Sequence, residues 1–149
     1  MKVVITLIAA LIACEPAYAA LGGSESSLDR DQKAIRAVAR RSAKPMGTHN
    51  IHEMVTSAGT VREFAAPDGT IFCVAWDGIT TPPLSTLFGN FHSEYLVAAR
   101  RMRATRGRGM NTVRTPNIIV QRSGIMRAAR GKACVPSLIP QGVNINDIH

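Results

Sequence analysis

The middle of the chain has a pattern of apolar segments and turn residues that is typical of β-strands. Three segments rich in β-compatible residues are separated by turn signals, and they cover residues 48–56, 60–65 and 70–76. The second turn is the clearer one, because Pro67 presets φ, Asp68 can bond its own backbone and Gly69 tolerates positive φ. This pattern predicts a three-stranded antiparallel meander.

The third of these segments is apolar at every position from 71 to 76. Side chains alternate between the two faces of a strand, so both of its faces would be apolar. The two sets are Phe72, Val74 and Trp76 on one face, and Ile71, Cys73 and Ala75 on the other. We therefore expect a central strand that is covered on both sides.

Two helices are predicted around this meander. A narrow apolar stripe covers residues 26–43, with Ser26 as a cap and Pro45 and Gly47 as stop signals. A second helix is expected from Pro82 to about residue 103, with Thr81 as its cap. Its apolar residues recur at spacings of three and four, and they are Leu84, Leu87, Phe88, Phe91, Tyr95, Ala98 and Met102.

The C-terminal part of the chain predicts further short strands. They cover residues 117–122, 125–129 and 133–135, with a Gly/Arg loop at 105–111 before them. Pro136 and Pro140 favour extended coil after them. The fold class is therefore α+β: an antiparallel β-meander plus amphipathic helices in a single domain, forming one sheet covered by helices.

The N-terminal residues 1–19 are typical of an export signal. Lys2 precedes an apolar run at 3–13, which is shorter than the roughly 20 residues that span a bilayer. Small residues at Ala17 and Ala19 suit signal peptidase, so we expect cleavage between Ala19 and Ala20 and a single exported domain at 20–149.

A second form of processing stays open. Residues 11–14 (LIAC) fit a bacterial lipobox, in which Cys14 would carry the lipid. No later apolar run reaches transmembrane length, so the mature chain is expected in the periplasm or at the outer membrane without a spanning segment.

The two cysteines of the mature chain, Cys73 and Cys134, predict a disulfide. An oxidising compartment favours the pairing, and each cysteine follows a turn glycine closely, at Gly69 and Gly131. Two buried free thiols are the alternative, because unpaired cysteine is among the most buried residue types.

Positive charge is concentrated in the C-terminal half. Residues 20–94 have a net charge of −1, whereas residues 95–149 have a net charge of +9. The densest group of arginines is the candidate anion-binding site: Arg100, Arg101, Arg103, Arg106 and Arg108. An anionic envelope component or an acidic protein would suit it, with a merely solvated basic surface as the alternative. Export and the few aromatic residues argue against nucleic acid.

Motifs for catalysis, metals and cofactors are weak. The chain has no G-x-G-x-x-G, Walker A or C-x-x-C motif, so no cofactor is expected. His49 and His52 would lie on opposite faces of a strand, and neither His92 nor His149 has a matching ligand, so no metal site is expected. No catalytic residue is assigned, although a carboxylate pair on adjacent strands remains possible: Glu53 and Glu63.

Several short segments occur in an order similar to that of one protein family. They are residues 21–23 (LGG), 52–53 (HE), 59–64 (GTVREF), 67–72 (PDGTIF), 74–76 (VAW), 123–128 (SGIMRA), 135–140 (VPSLIP) and 147–148 (DI). The chain thus resembles a family of short exported proteins of Gram-negative bacteria whose domain has no assigned function. The resemblance implies export and a single domain, and no activity. A non-enzymatic binding or structural role is the leading hypothesis, and a small envelope hydrolase using carboxylate or histidine acid–base chemistry is the alternative.

Overall fold

The computed structural model describes residues 21–43, 47–103 and 111–149. The strands are β1 (Ala39–Ala43), β2 (Asn50–Thr56), β3 (Gly59–Ala65), β4 (Ile71–Gly78), β5 (Asn111–Arg114), β6 (Ile119–Ile125) and β7 (Ala128–Cys134). The α-helices are α1 (Leu28–Ala34), α2 (Leu84–Phe88) and α3 (His92–Arg103). Short 3-10 turns lie at Glu25–Ser27, Gly89–Phe91, Pro136–Leu138 and Ile145–Asp147.

The strands form one seven-stranded antiparallel sheet in the order β1-β2-β3-β4-β7-β6-β5. The predicted meander is confirmed as β2, β3 and β4. After β4 the chain passes through α2 and α3 before it returns as β5, and β7 then pairs with β4. The predicted α+β fold and the central position of β4 are both confirmed.

Each face of the sheet has its own apolar core. The helix-covered face packs Met54, Val61, Val74 and Trp76 against side chains of α2 and α3 such as Phe88. The opposite face is covered by the C-terminal tail, residues 136–149. There Ile139, Val143, Ile145 and Ile148 pack around Phe64, Phe72 and the two cysteines.

The helix predicted for 26–43 is wrong in its second half. α1 ends at Ala34, and residues 39–43 form the edge strand β1. Arg36 adopts a left-handed φ of 55°, and the N–H of Ala37 donates to the carbonyl of Gln32 at 2.9 Å. This is a Schellman-type helix end, which usually carries glycine at the left-handed position. Because arginine occupies this position, the sequence contains no glycine that would indicate the end of the helix at Ala34.

The predicted facings of Phe72 and Ile71 are also wrong, and Ile71 lies in the helix-covered core with Val74 and Trp76. The pairing of β3 with β4 shifts between Phe64 and Ala65, so that Cys73 pairs with Phe64 and Ile71 pairs with Ala65. The bulge leaves Phe72 without a register partner, and its side chain joins the tail-covered core rather than that of Val74.

Three further boundaries differ from the sequence prediction. β5 lies where the predicted Gly/Arg loop ends. The C-terminal strands form one hairpin that turns at Met126 and Arg127, and β7 runs through Gly131, where a turn was predicted. The long helix predicted from Pro82 begins at Leu84 and is divided by the 3-10 turn Gly89–Phe91.

Candidate functional site

The predicted arginine cluster is only partly described by the structure. Arg100 and Arg101 lie on α3 with exposed side chains, and Arg103 is the last residue of that helix. Arg106 and Arg108 lie outside the described residues. No salt bridge within the described ranges involves Arg100 or Arg101. Both guanidinium groups are thus available to solvent.

Strand pairing places further arginines at one end of the sheet. Gly78 at the end of β4 pairs with Gly59 and with Ala129, so the β2–β3 turn and the β6–β7 turn share that end. We call it the basic end. Its arginines on the β6–β7 hairpin are Arg122, Arg127 and Arg130.

Helix α3 leads toward the basic end. At its start, Glu94 accepts a hydrogen bond from the side chain of Asn117 at 3.1 Å, next to the opposite end of β6. After α3 the chain enters β5, whose first residue pairs with Arg122. The last turn of α3, which contains Arg100 and Arg101, therefore points toward the same end as the hairpin arginines.

The opposite end of the sheet is acidic. Asp68 lies in the β3–β4 turn, Glu94 at the start of α3, and Glu25 beside Thr70 and Asn50. Hydrogen bonds from Thr70 lower the pKa of Asp68, and hydrogen bonds from Thr115 and Asn117 lower the pKa of Glu94. The carboxyl groups of Asp68 and Glu94 therefore stay ionised at neutral pH. The segregation of charge is partial, because Asp77 lies at the basic end beside Arg130 and exposed Arg114 ends β5 at the acidic end.

A cavity of about 290 Å³ lies beside the C-terminus and includes four basic residues: Arg62, Arg122, Arg130 and Lys132. Each of the four already has an acceptor within the protein. Arg62 pairs with Glu53 at 2.9 Å, and Arg130 pairs with Asp77 at 2.9 Å. Carboxylates thus offset two of the four charges, while Arg122 and Lys132 donate to neutral hydroxyl and carbonyl oxygens.

Lys132 ties the C-terminal tail to the sheet. Its Nζ donates to the carbonyl of Ile145 at 2.7 Å and to that of Ile148 at 3.0 Å. Burial lowers the pKa of this amine, while nearby Asp147 raises it. Arg62 adds a hydrogen bond from Nη1 to the carbonyl of His149 at 3.2 Å. These contacts make the basic residues of the cavity a structural tether.

On the helix-covered face, Gly131 makes room for the only tryptophan. A Cβ at Gly131 would overlap the indole ring of Trp76, so the ring lies directly over the backbone of β7. Neighbouring Arg122 donates to the hydroxyl of Tyr95 at 3.0 Å and to that of Thr81 at 3.3 Å. Trp76, Gly131 and Arg122 together join the sheet to the segment around α2 and α3.

The carboxylate pair that the sequence left open, Glu53 with Glu63, does not form. In the β2–β3 register Glu53 is opposite Arg62 and Glu63 is opposite His52, so the two carboxyl groups lie on different faces. Glu53 instead forms the salt bridge with Arg62 on the tail-covered side.

A different carboxyl pair is buried under α1. Glu63 is fully buried and Asp31 is 1% exposed. Burial, with a smaller contribution from the charge of Asp31, raises the pKa of Glu63 to about 9. Among the described residues neither carboxyl oxygen of Glu63 has a hydrogen-bond partner. Glu63 is therefore protonated at neutral pH, and the pair is sealed from any substrate.

As predicted, His49, which precedes β2, and His52, within β2, go to opposite faces. His52 Nε2 lies 2.6 Å from Oε1 of Glu25 on the helix-covered face. His49 packs against Phe64 and Phe72, with both ring centroids at 5.9 Å. Within residues 21–43, 47–103 and 111–149, no group of three or more acidic, histidine or cysteine side chains could hold a metal ion.

Cys73 and Cys134 form the expected disulfide. They are direct register partners in β4 and β7, with Cα atoms 4.1 Å apart and sulfur atoms 2.02 Å apart. Both are buried in the tail-covered core. The bond links the meander to the C-terminal hairpin at the centre of the sheet.

The predicted signal cleavage at Ala19 and Ala20 lies outside the described residues.

Fold and site together define a small single-domain α+β protein, with a disulfide across its central strands and charge segregated between the two ends of its sheet. The chain belongs to the family described as a protein of unknown function (DUF2844), whose model matches residues 17–148. The chain matches no curated protein and no solved structure. Among the described residues, no helix has the length and apolarity needed to cross a bilayer.

Sequence reasoning overlooked the buried acids, although the pattern contained their signal. Glu63 alternates with Val61 and Ala65, which places it on an apolar strand face. Asp31 lies at helical spacing from Leu28 and Ile35, which places it on an apolar stripe. An acid on the apolar face of a predicted element indicates a buried carboxyl group.

Proposed function

We propose that this protein is an exported envelope protein that binds an anionic component through the arginines of its basic end. The role is binding rather than catalysis. The ligand would contact arginines on α3 and on the β6–β7 hairpin, since guanidinium groups form paired hydrogen bonds with phosphate and carboxylate.

The observation that carries this proposal is the segregation of charge. Arg100, Arg101 and Arg127 are exposed toward one end of the sheet and form no salt bridge within the described ranges. Three carboxylates lie at the opposite end, which they share with one exposed arginine, Arg114: Glu25, Asp68 and Glu94. A protein with such a charge distribution orients itself in the field of an anionic partner, and the same field accelerates association.

Export is supported by two independent features. Residues 1–19 have the composition of a secretory signal, and a buried disulfide is typical of proteins in oxidising compartments. We propose cleavage after Ala19, with lipidation at Cys14 as the competing form of processing. Intact mass and N-terminal sequencing of the exported protein distinguish the two, because a lipid on Cys14 contradicts the cut after Ala19.

The carboxylate form of the hydrolase alternative lacks its proposed pair of acids. Glu53 and Glu63 do not meet, and the carboxyl pair that does form is enclosed by α1 and the sheet. A general acid must reach its substrate within hydrogen-bond distance.

Binding to a soluble polyanion tests the proposal. We would titrate the exported protein with dextran sulfate by calorimetry at several salt concentrations. Affinity should fall steeply with salt, because the Debye length shrinks from ~30 Å at 0.01 M to ~8 Å at physiological ionic strength. Replacing Arg100, Arg101 and Arg127 with Gln should weaken low-salt binding by roughly fivefold per arginine.

A charge-matched variant provides the control. Lys33→Gln, Arg41→Gln and Arg114→Gln also remove three exposed positive charges that form no salt bridge within the described ranges, but from α1, β1 and the opposite end of β5. The proposal predicts a much smaller loss of affinity for this control. Equal losses would show that only net charge matters, and salt-independent binding would contradict the proposal outright.

A further inference from the structure

We propose that the basic end docks on the surface of an anionic phospholipid bilayer, with the apolar tip of the β6–β7 hairpin inserted among the lipids. This inference rests on the proposed function, and it identifies the anionic component as a membrane surface. Four observations lead to it: exposed apolar side chains, their shared position, the backbone conformation beside them, and the surrounding charge.

Large apolar side chains are exposed at the basic end. Met126 is 94% exposed and Ile125 is 83% exposed, and both lie at the tip of the hairpin. Val38 and Ile79 are exposed by 77% and 56%. Single exposed apolar residues are ordinary, whereas the adjacent pair Ile125 and Met126 forms a continuous apolar tip.

The register shows that these four residues share one end. Val38 precedes β1 and donates its N–H to the carbonyl of Val55, near the β2–β3 turn. Ile79 follows β4 and donates its N–H to the carbonyl of Ala58 in that same turn. At the hairpin tip, Ile125 of β6 pairs with Ala128 of β7. Strand β7 is the neighbour of β4, so the tip lies one to two strands beyond Ile79. With strands about 4.8 Å apart, the row from β1 to the tip spans roughly 20 Å.

The backbone holds arginines beside these apolar residues in an unfavourable conformation. Within the described residues, the non-glycine residues with positive φ are Arg36 at 55° and Arg127 at 65°. Arg36 lies two residues before Val38, and Arg127 follows Met126 directly. Glycine or asparagine is the favoured residue at such positions, so an arginine there lowers local stability while it places a guanidinium group beside the apolar residues.

A bilayer surface fits this combination better than a soluble polyanion or an acidic protein. Apolar side chains that project from one end of a sheet suit insertion into the boundary between headgroups and acyl chains, which lies ~5–10 Å deep. Arginine at the same level can bind lipid phosphates while its stem stays in the apolar layer. The acidic end of the sheet then points away from the membrane.

Vesicle flotation tests the docking. The exported protein is mixed with vesicles of phosphatidylcholine alone or with phosphatidylglycerol added. We expect binding to the anionic vesicles only. Ile125→Ser with Met126→Ser should lower the partition coefficient by about tenfold or more, because each buried methylene contributes to membrane affinity. The control is Leu96→Ser with Val97→Ser, which removes exposed apolar residues from α3 and should change binding by less than about twofold.

The outcomes separate this inference from the proposed function. Binding to dextran sulfate without binding to anionic vesicles overturns the docking and leaves the proposed function intact, whereas binding to neither overturns both. Vesicle binding that is unchanged by the tip substitutions also overturns the docking, because electrostatic attraction alone would then account for membrane binding. Unchanged thermal midpoints show that the variants fold, and Met126→Gln alone provides a milder test should the double variant unfold.

Discussion

The buried carboxyl group of Glu63 predicts an unusual dependence of stability on pH. In the unfolded chain this group has its ordinary pKa of 4.5, and in the folded protein its pKa is about 9. Between these values the folded state binds one more proton than the unfolded state. The free energy of unfolding therefore decreases as pH rises from 4.5 to 9, by about 1.4 kcal/mol per pH unit from this group.

The substitution Glu63→Gln removes this dependence. Glutamine is neutral in both states and has nearly the same shape, so folding no longer requires a proton. At pH 7 the native protein has lost about 3 kcal/mol relative to pH 4.5 through Glu63, and the variant should be more stable by about that amount. The two proteins should converge toward pH 4.5.

Urea unfolding at several pH values between 5 and 8 measures the effect, with the disulfide kept intact. Fluorescence of Trp76 reports the transition, because it is the only tryptophan and is buried in the core. Glu53→Gln is the matched control, since Glu53 is partly exposed and paired with Arg62. An unchanged pH slope in Glu63→Gln, or a loss of stability at pH 7, would refute the protonated state of Glu63.

The central strands support two more predictions. Gly131→Ala should lower the free energy of unfolding by about 2 kcal/mol or more, because the new methyl group overlaps the indole ring of Trp76. The Trp76 emission should also shift. An unchanged unfolding midpoint would show that the ring can move aside. Replacing Cys73 and Cys134 with Ala should lower the free energy of unfolding by about 4 kcal/mol in the chain-entropy model for a separation of 61 residues, and an unchanged urea midpoint would contradict that value.

The meander and the disulfide could be predicted from the sequence because their signals are local. Pro67, Asp68 and Gly69 specify a turn, and the apolar run from 71 to 76 requires cover on both sides. The cysteine pairing followed from the count and from the similar distance of each cysteine from a glycine. Strand register then placed Cys73 directly opposite Cys134.

The features that sequence reasoning missed depend on single backbone conformations. Arg36 ends α1 through a left-handed φ that arginine rarely adopts, so the apolar stripe seemed to continue into what is β1. Likewise, Met126 and Arg127 form the hairpin turn without glycine, and the chain therefore suggested turns at Ser123–Gly124 and at Gly131 instead. One bulge in β4 sufficed to move Phe72 to the other core.

The sequence indicated which arginines to consider as an anion-binding site, but not where they lie in the fold. The sequence identified arginines 100 to 108 as a cluster, yet the register was needed to place Arg127 and the apolar tip at the same end of the sheet. Glu53 and Glu63 differ by an even number of positions, but they lie on different strands, so this spacing does not show which face each occupies. Only the pairing of Glu53 with Arg62 shows that the two carboxyl groups lie on opposite faces of the sheet.

Hydrogen–deuterium exchange of the exported protein with and without an anionic ligand tests the central claim most directly. With dextran sulfate as the probe, the account predicts slower amide exchange in the last turn of α3 and in the β6–β7 hairpin around Arg127. The β3–β4 turn around Asp68, at the acidic end, should exchange at an unchanged rate. Protection confined to the acidic end, or no protection at all despite measured binding, would contradict the claim.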